Sequence, residues 1–111
     1  MKTLRNRVQL IGNLGNDPEI ITLDSGKKIA KFNIATNEVF KNSNGDKETN
    51  TEWHRVVCFG NTAEIVESYI TKGKEVAIDG KLTHNSWEDK DGNKRYSTDV
   101  VCNELLMLGN K

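Results

Sequence analysis

Period-two alternation of apolar and polar side chains over two long runs constrains this chain most. Only an extended strand with one buried face satisfies it. From Lys28 to Val39, Ala30, Phe32 and Ile34 fall on one side and Ile29, Lys31, Asn33 and Ala35 on the other. This predicts a long strand whose first face turns inward. From Thr51 to Phe59, Trp53, Arg55, Val57 and Phe59 share one side, and His54, Val56 and Cys58 share the other. A flat face carrying two rings and a guanidinium suits single-stranded nucleic acid, because rings stack on bases while the cation holds a phosphate. The residues alone leave a second reading open, in which Trp53 and Phe59 belong to the core and Arg55 snorkels out of an apolar patch.

The remaining segments supply partners for these runs. Arg7 to Leu14 alternates until Gly12, which predicts a first strand that bends or bulges there, and Asn13 to Pro18 follows as a turn. Glu19 to Leu23 is a short extended piece, closed by the hairpin turn Asp24-Ser25-Gly26-Lys27. The polar stretch between Phe40 and Thr51, centred on Asn44-Gly45, predicts an exposed, mobile hairpin tip. Asn61 and Glu64 have the spacing of a helix N-cap and its reciprocal partner. Ala63, Val66 and Ile70 would then form the buried face, with Ile65 and Tyr69 beside it and Gly73 as C-cap. Val76, Ile78, Gly80 and Leu82 alternate with Ala77, Asp79, Lys81 and Thr83 in a strand that runs on to Trp87, before a turn at Asp91-Gly92. Tyr96, Thr98, Val100 and Cys102 make a last strand, and Leu105 to Leu108 should dock on the body. Three main strands, one helix and two further strands is the element order of an OB-fold, an all-β five-stranded Greek-key barrel with a helix between its third and fourth strands.

A chain of 111 residues reads as one domain, 1–111, with no linker-like division. With 35% hydrophobic and 29% charged residues, a small core would gain from further burial against copies of itself. The 16 basic and 16 acidic side chains cancel, so an electropositive groove has to arise by segregation. Lys2, Arg5 and Arg7 precede no apolar run of signal-peptide length, and no stretch reaches membrane-spanning length. The reading is a soluble cytoplasmic protein with no membrane partner. Cys58 and Cys102 lack zinc-ribbon pairing and read as small buried hydrophobes, so no metal or cofactor is expected. Asp79, Asp89, Asp91 and Asp99 raise the alternative of a metal-dependent nuclease. Asp89 and Asp91, however, flank a glycine turn and are better explained as turn formers, and no His-carboxylate spacing supports catalysis. A further alternative is an assembly module whose aromatic face meets protein.

Four blocks in one register carry a resemblance: Ile11 to Glu19, Thr51 to Val57, Lys72-Gly73, and Met107-Leu108-Gly109. Together they resemble the bacterial single-stranded DNA-binding protein family across essentially the whole chain. The resemblance implies an OB-fold homotetramer that coats single-stranded DNA in replication, recombination and repair, associated with the nucleoid, without catalysis or cofactor. It implies base stacking at Phe40, Trp53, Phe59 and Trp87, where Phe40 fills a place that the family often gives to Trp. It also implies phosphate contacts at Arg7, Arg55, Lys72 and Arg95, and a subunit interface at or near His54. Asn61, Asn85 and Ser86 stand where many members have basic side chains, which predicts a less positive groove and a shallower salt dependence. Members commonly continue into a linker and an acidic tip that recruits other proteins. This sequence stops at Lys111, so tail-mediated recruitment is not expected of it. The alternative within the same fold is a replication-accessory protein of primosomal type acting mainly through protein contacts.

Overall fold

The computed structural model describes residues 5–108; Lys2, Gly109 and Lys111 lie outside the described residues. The elements are β1 (Val8–Leu14), β2 (Glu19–Thr22), β3 (Lys28–Lys41), β4 (Lys47–Phe59), α1 (Gly60–Tyr69), β5 (Glu75–Glu88) and β6 (Lys94–Met107). β1, β5, β6, β4 and β3 pair in that order, and β1 pairs back with β3, so five strands close a barrel with β2 as an extra strand on β3. This is the all-β OB-fold, with α1 between β4 and β5.

Closure depends on β1 serving two neighbours. It pairs with β5 from Val8↔Gly80 to Asn13↔Glu75, and its last residues pair with β3 at Asn13↔Ala35 and Leu14↔Ile34. Gly12 sits at this change of partner, where an added Cβ would fall 2.3 Å from the Ala35 carbonyl oxygen. β1 carries no bulge there: its register with β5 continues without a shift through Gly12↔Val76. The missing side chain instead admits the backbone of β3.

The inner faces follow the alternation. Ala30, Phe32 and Ile34 of β3, Val56 and Cys58 of β4, Val76 and Ile78 of β5 and Val100 and Cys102 of β6 are buried together with Leu14 and the helical residues Ala63, Val66 and Ile70. A bulge between the pairs Asp79↔Glu104 and Gly80↔Cys102 gives β6 an extra residue, Asn103. It shifts the phase so that Leu105, not Glu104, packs toward the core. The apolar C-terminal run docks as β6, although Leu106 and Met107 stay largely exposed. Cys58 and Cys102 are buried thiols. A hydrogen bond donated by the Cys58 thiol to Cys102 Sγ, followed by burial, pushes the Cys58 thiol pKa up, so it stays protonated.

Three local expectations are corrected. The β3–β4 ladder continues without a break to Lys41↔Lys47, so Phe40, Lys41 and residues 47–51 are strand and only 42–46 form the turn. Backbone pairing holds this arm together where both faces meet solvent and no apolar alternation marks it. The helix begins directly after β4, with Phe59 at the N-cap position and no side-chain cap, so Asn61 and Glu64 form no capping box. Gly73 is not the C-cap: Ile70 takes that position, its backbone N–H donating to the Val66 carbonyl, and Gly73 lies in the next turn with its N–H on the Leu14 carbonyl. The N-terminal end of the helix is set by the strand that enters it rather than by side-chain cap chemistry. Among the described residues no helix is long and apolar enough to cross a membrane.

Candidate nucleic-acid interface

On β4, Trp53, Arg55 and Phe59 are exposed, and Val57, though itself buried, shares their parity, opposite Val56 and Cys58 of the core cluster. The β3 partners of Trp53, Arg55, Val57 and Phe59 are Ala35, Asn33, Lys31 and Ile29 in the same order. On the other side, parallel pairing sets Arg55 beside Asp99 and Val57 beside Val101, and β5 brings Thr83 to Asp99 and Lys81 to Val101. Two rows thus cross four strands: Asn33, Arg55, Asp99, Thr83, and next to it Lys31, Val57, Val101, Lys81. Farther along the β5–β6 hairpin the same side carries Asn85 opposite Ser97 and Trp87 opposite Arg95.

Three rings bound this surface. Trp53 and Phe59 lie six residues apart on β4, about 20 Å along the strand, and Trp87 stands on the β5–β6 arm. Trp53 is 61% exposed, Phe59 50% and Trp87 49%, so the alternative of a core role for Trp53 and Phe59 does not hold. Phe40, 44% exposed, is placed differently. Paired with Glu48, it has the parity of Ile34 and Thr36 and so occupies the opposite side of the β3–β4 arm from Trp53. His54 shares that parity, is half-buried, and has Nε2 3.0 Å from the Thr36 hydroxyl.

The indole of Trp53 is seated on a glycine. A Cβ at Gly15 would fall 2.3 Å from Cζ3 and 2.7 Å from Cη2 of that ring, while the Gly15 backbone N–H donates to the Asn33 carbonyl at 2.9 Å. The Gly15 backbone is therefore held in place and the ring would have to yield. Gly15→Val is expected to displace the indole, altering the Trp emission maximum of the free protein. It should weaken single-strand binding about tenfold if the seated ring stacks a base, a loss of about 1.4 kcal/mol.

The arginines of this surface are already engaged. Arg7 grips Asp79 with Nε at 3.3 Å from Oδ1 and Nη2 at 3.1 Å from Oδ2. Arg95 Nε donates to Asp89 Oδ2 at 2.9 Å. The Asn93 backbone N–H, followed by Arg95, holds the Asp89 carboxyl below the usual carboxylate range. Arg55 Nε lies 3.5 Å from Oδ1 of Asp99, a residue only 8% exposed. Asp99 Oδ2 accepts from Asn85 Nδ2 at 2.9 Å, and Oδ1, lacking any hydrogen bond, faces Arg55. Asp89 also does the work of a turn former, its Oδ1 accepting from the backbone N–H groups of Asp91 and Asn93. Among the described residues, no three His, Cys, Asp or Glu side chains come together as metal ligands.

The structure thus gathers Trp53, Phe59, Trp87, Arg55 and Arg95 on one outer surface, with Arg7 at its β1 edge. Lys72 lies in the turn before β5, its backbone N–H bound to Oδ1 of Asp17, two residues beyond the Gly15 on which Trp53 is seated. Lys31, Lys81 and Asp99 belong to the surface and were missed as site residues. Strand parity placed Lys31 outward, but nothing local to Lys81 shows that it neighbours β4. A polar cavity of about 190 Å³ opens between Lys31 and Arg55, lined also by Asn16, Glu19 and Asn33. On another part of the barrel, Ile11, Ala77 and Leu106 form an outward apolar row across β1, β5 and β6, in which Ile11 is 59% and Leu106 66% exposed.

Residues 5–108 match the model of the Single-strand binding protein family. The chain is 48% identical over 107 residues to Single-stranded DNA-binding protein 1 of Chlorobaculum tepidum, covering 96% of this chain and 66% of that protein. It is 42% identical over 106 residues to the Single-stranded DNA-binding protein of Xanthomonas axonopodis pv. citri, covering 96% of this chain and 59% of that protein. The chain thus spans less than two thirds of the length of these relatives. Among solved structures, the Plasmodium falciparum SSB in complex with ssDNA superposes with a TM-score of 0.87 at 30% identity, over 98% of this chain and 99% of that one. A single-stranded DNA-binding protein from Thermus aquaticus gives 0.81 at 28% identity, over 96% of this chain and 51% of that one.

Proposed function

Since this chain belongs to the single-strand binding protein family, we infer that it binds single-stranded DNA without sequence preference, as one OB-fold domain over residues 1–111. The observation that carries this reading is the outward placement of Trp53, Phe59 and Trp87 around Arg55 on a continuous four-stranded surface. Each ring offers a face that any base can cover, with a stack worth about 1–3 kcal/mol. Arg55 and Arg95 engage their carboxylates through Nε, which leaves the terminal nitrogens to donate to phosphate oxygens. Phe40 extends the ring set along the β3–β4 arm, on a side that a strand reaches only by wrapping around it. The role is protection of exposed single strands in replication, recombination and repair, in the cytoplasm at the nucleoid, with no catalytic step and no cofactor.

Self-assembly into a homotetramer fits the same reading. The outward row Ile11, Ala77 and Leu106 is apolar and exposed in the single chain, and burying it against copies would extend a small core. His54, half-buried beside Thr36, is the proposed polar contact at or near a subunit boundary.

Trp fluorescence during titration tests the DNA reading directly. Oligo-dT should quench emission at low salt and duplex of equal length should not. Absence of quenching by the single strand would overturn the assignment.

A further inference from the structure

The cations of the proposed DNA surface fall into two groups. Each arginine faces a carboxylate more buried than itself: side-chain exposures are 35% against 14% for Arg7–Asp79, 49% against 11% for Arg55–Asp99 and 59% against 22% for Arg95–Asp89. Such a pair offers donors but almost no net charge, since a phosphate drawn to the guanidinium also meets the carboxylate behind it. Arg7 is the extreme case, with Nε and Nη2 both taken by Asp79. Lys31 and Lys81 differ, for neither has an ion-pair partner among the described residues. Glu19 stands opposite Lys31 in the β2–β3 ladder without forming an ion pair, and Asp79, two residues before Lys81, is held by Arg7.

Both lysines occupy the row beside Arg55, separated by Val57 and Val101. Three strand spacings put their Cα atoms about 14 Å apart, too far to share one phosphate. The cavity between Lys31 and Arg55, about 190 Å³ and lined also by Asn16, Glu19, Phe32 and Asn33, has room for a phosphate group. We propose that Lys31 and Lys81 are the phosphate-binding cations that carry the salt dependence of single-strand binding, each neutralising a different phosphate across the β3-β4-β6-β5 surface. On this view Arg55 and Arg95 supply directed hydrogen bonds, and Arg7 is a structural residue of the β1–β5 edge. The proposal rests on the platform reading given above and adds to it the residues that set its electrostatics.

Oligo-dT titrations of the whole chain between low and moderate salt test it, with Lys31→Gln, Lys81→Gln, the double variant and Lys28→Gln compared. Lys31 and Lys81 stand on the outer surface, so the fold should persist, which far-ultraviolet circular dichroism checks. Replacing either Lys31 or Lys81 should make the slope of log K against log salt shallower by about 0.7 and weaken binding about fivefold at 0.1 M salt. The double variant should lose about 1.4 from the slope, and Lys28→Gln, whose partner Glu67 stands on α1 away from this surface, should leave it unchanged. A wild-type slope in the double variant, or a loss in Lys28→Gln as large as in Lys31→Gln or Lys81→Gln, would overturn the proposal while Trp quenching kept the platform reading intact. Loss of quenching in the unaltered chain would instead remove the platform itself.

Discussion

Trp53→Ala is expected to weaken binding of oligo-dT about 5- to 150-fold, which corresponds to the roughly 1–3 kcal/mol of one base stack. The unfolding midpoint should stay close to that of the unaltered protein. Trp53 is 61% exposed and touches the body through Gly15, so its truncation opens no core cavity. Its neighbours on β4, Val56 and Cys58, keep every inward contact because they lie on the other face. A sizing column run beside the titration separates the DNA platform from an assembly surface: unchanged elution with weakened binding fits the platform. A changed oligomer with undiminished binding would assign the ring to a protein contact.

Gly12→Ala should produce the largest loss of stability among single methyl additions on β1. The new Cβ would meet the Ala35 carbonyl oxygen at 2.3 Å and its carbon at 3.0 Å, both backbone atoms that no rotamer change moves aside. Relief requires β1 to separate from β3, and the Asn13↔Ala35 and Leu14↔Ile34 pairs are the closure of the barrel. A cost of about 3 kcal/mol follows, at the upper end of ordinary overpacking because the clash involves main chain. Urea unfolding followed by circular dichroism measures it, and Gln9→Ala on the exposed side of the same strand is the control, with a change within about 0.5 kcal/mol. A Gly12→Ala midpoint equal to that of the control would show that β1 crosses β3 with more room than this geometry allows.

Much of the barrel was readable along single strands. Ala30, Phe32 and Ile34, or Val56 and Cys58, declare an inner face because the extended backbone turns successive side chains to opposite sides. The β3–β4 arm was less readable. Polar residues on both faces at 47–50 look like loop, yet the ladder with β3 satisfies their backbone groups without any buried side chain. The helix caps failed for a related reason: β4 runs straight into α1, and the entry of Phe59 leaves Asn61 inside the helix. Within the site, Trp53, Arg55 and Phe59 could be grouped from one strand. Phe40, grouped with them by resemblance, lies on the other side of the arm, since thirteen consecutive pairs without a bulge preserve its parity from Ile29↔Phe59 to Lys41↔Lys47.

By itself, then, the sequence determined which side chains of each strand face together, because that alternation is built into the covalent geometry of an extended backbone and needs no partner. It thereby placed Trp53, Arg55 and Phe59 on one surface. Only the tertiary structure decided what else that surface contains. Asp99 reaches Arg55 through the parallel β4–β6 pairing, and Lys81 joins the row of Lys31 through β5 and β6. Those neighbours are set when the barrel closes between segments far apart in the chain, and so is the balance of charge among them. A chain with 16 cations and 16 anions becomes locally uneven on this surface because Arg7, Arg55 and Arg95 close on aspartates while Lys31 and Lys81 have no ion-pair partner among the described residues.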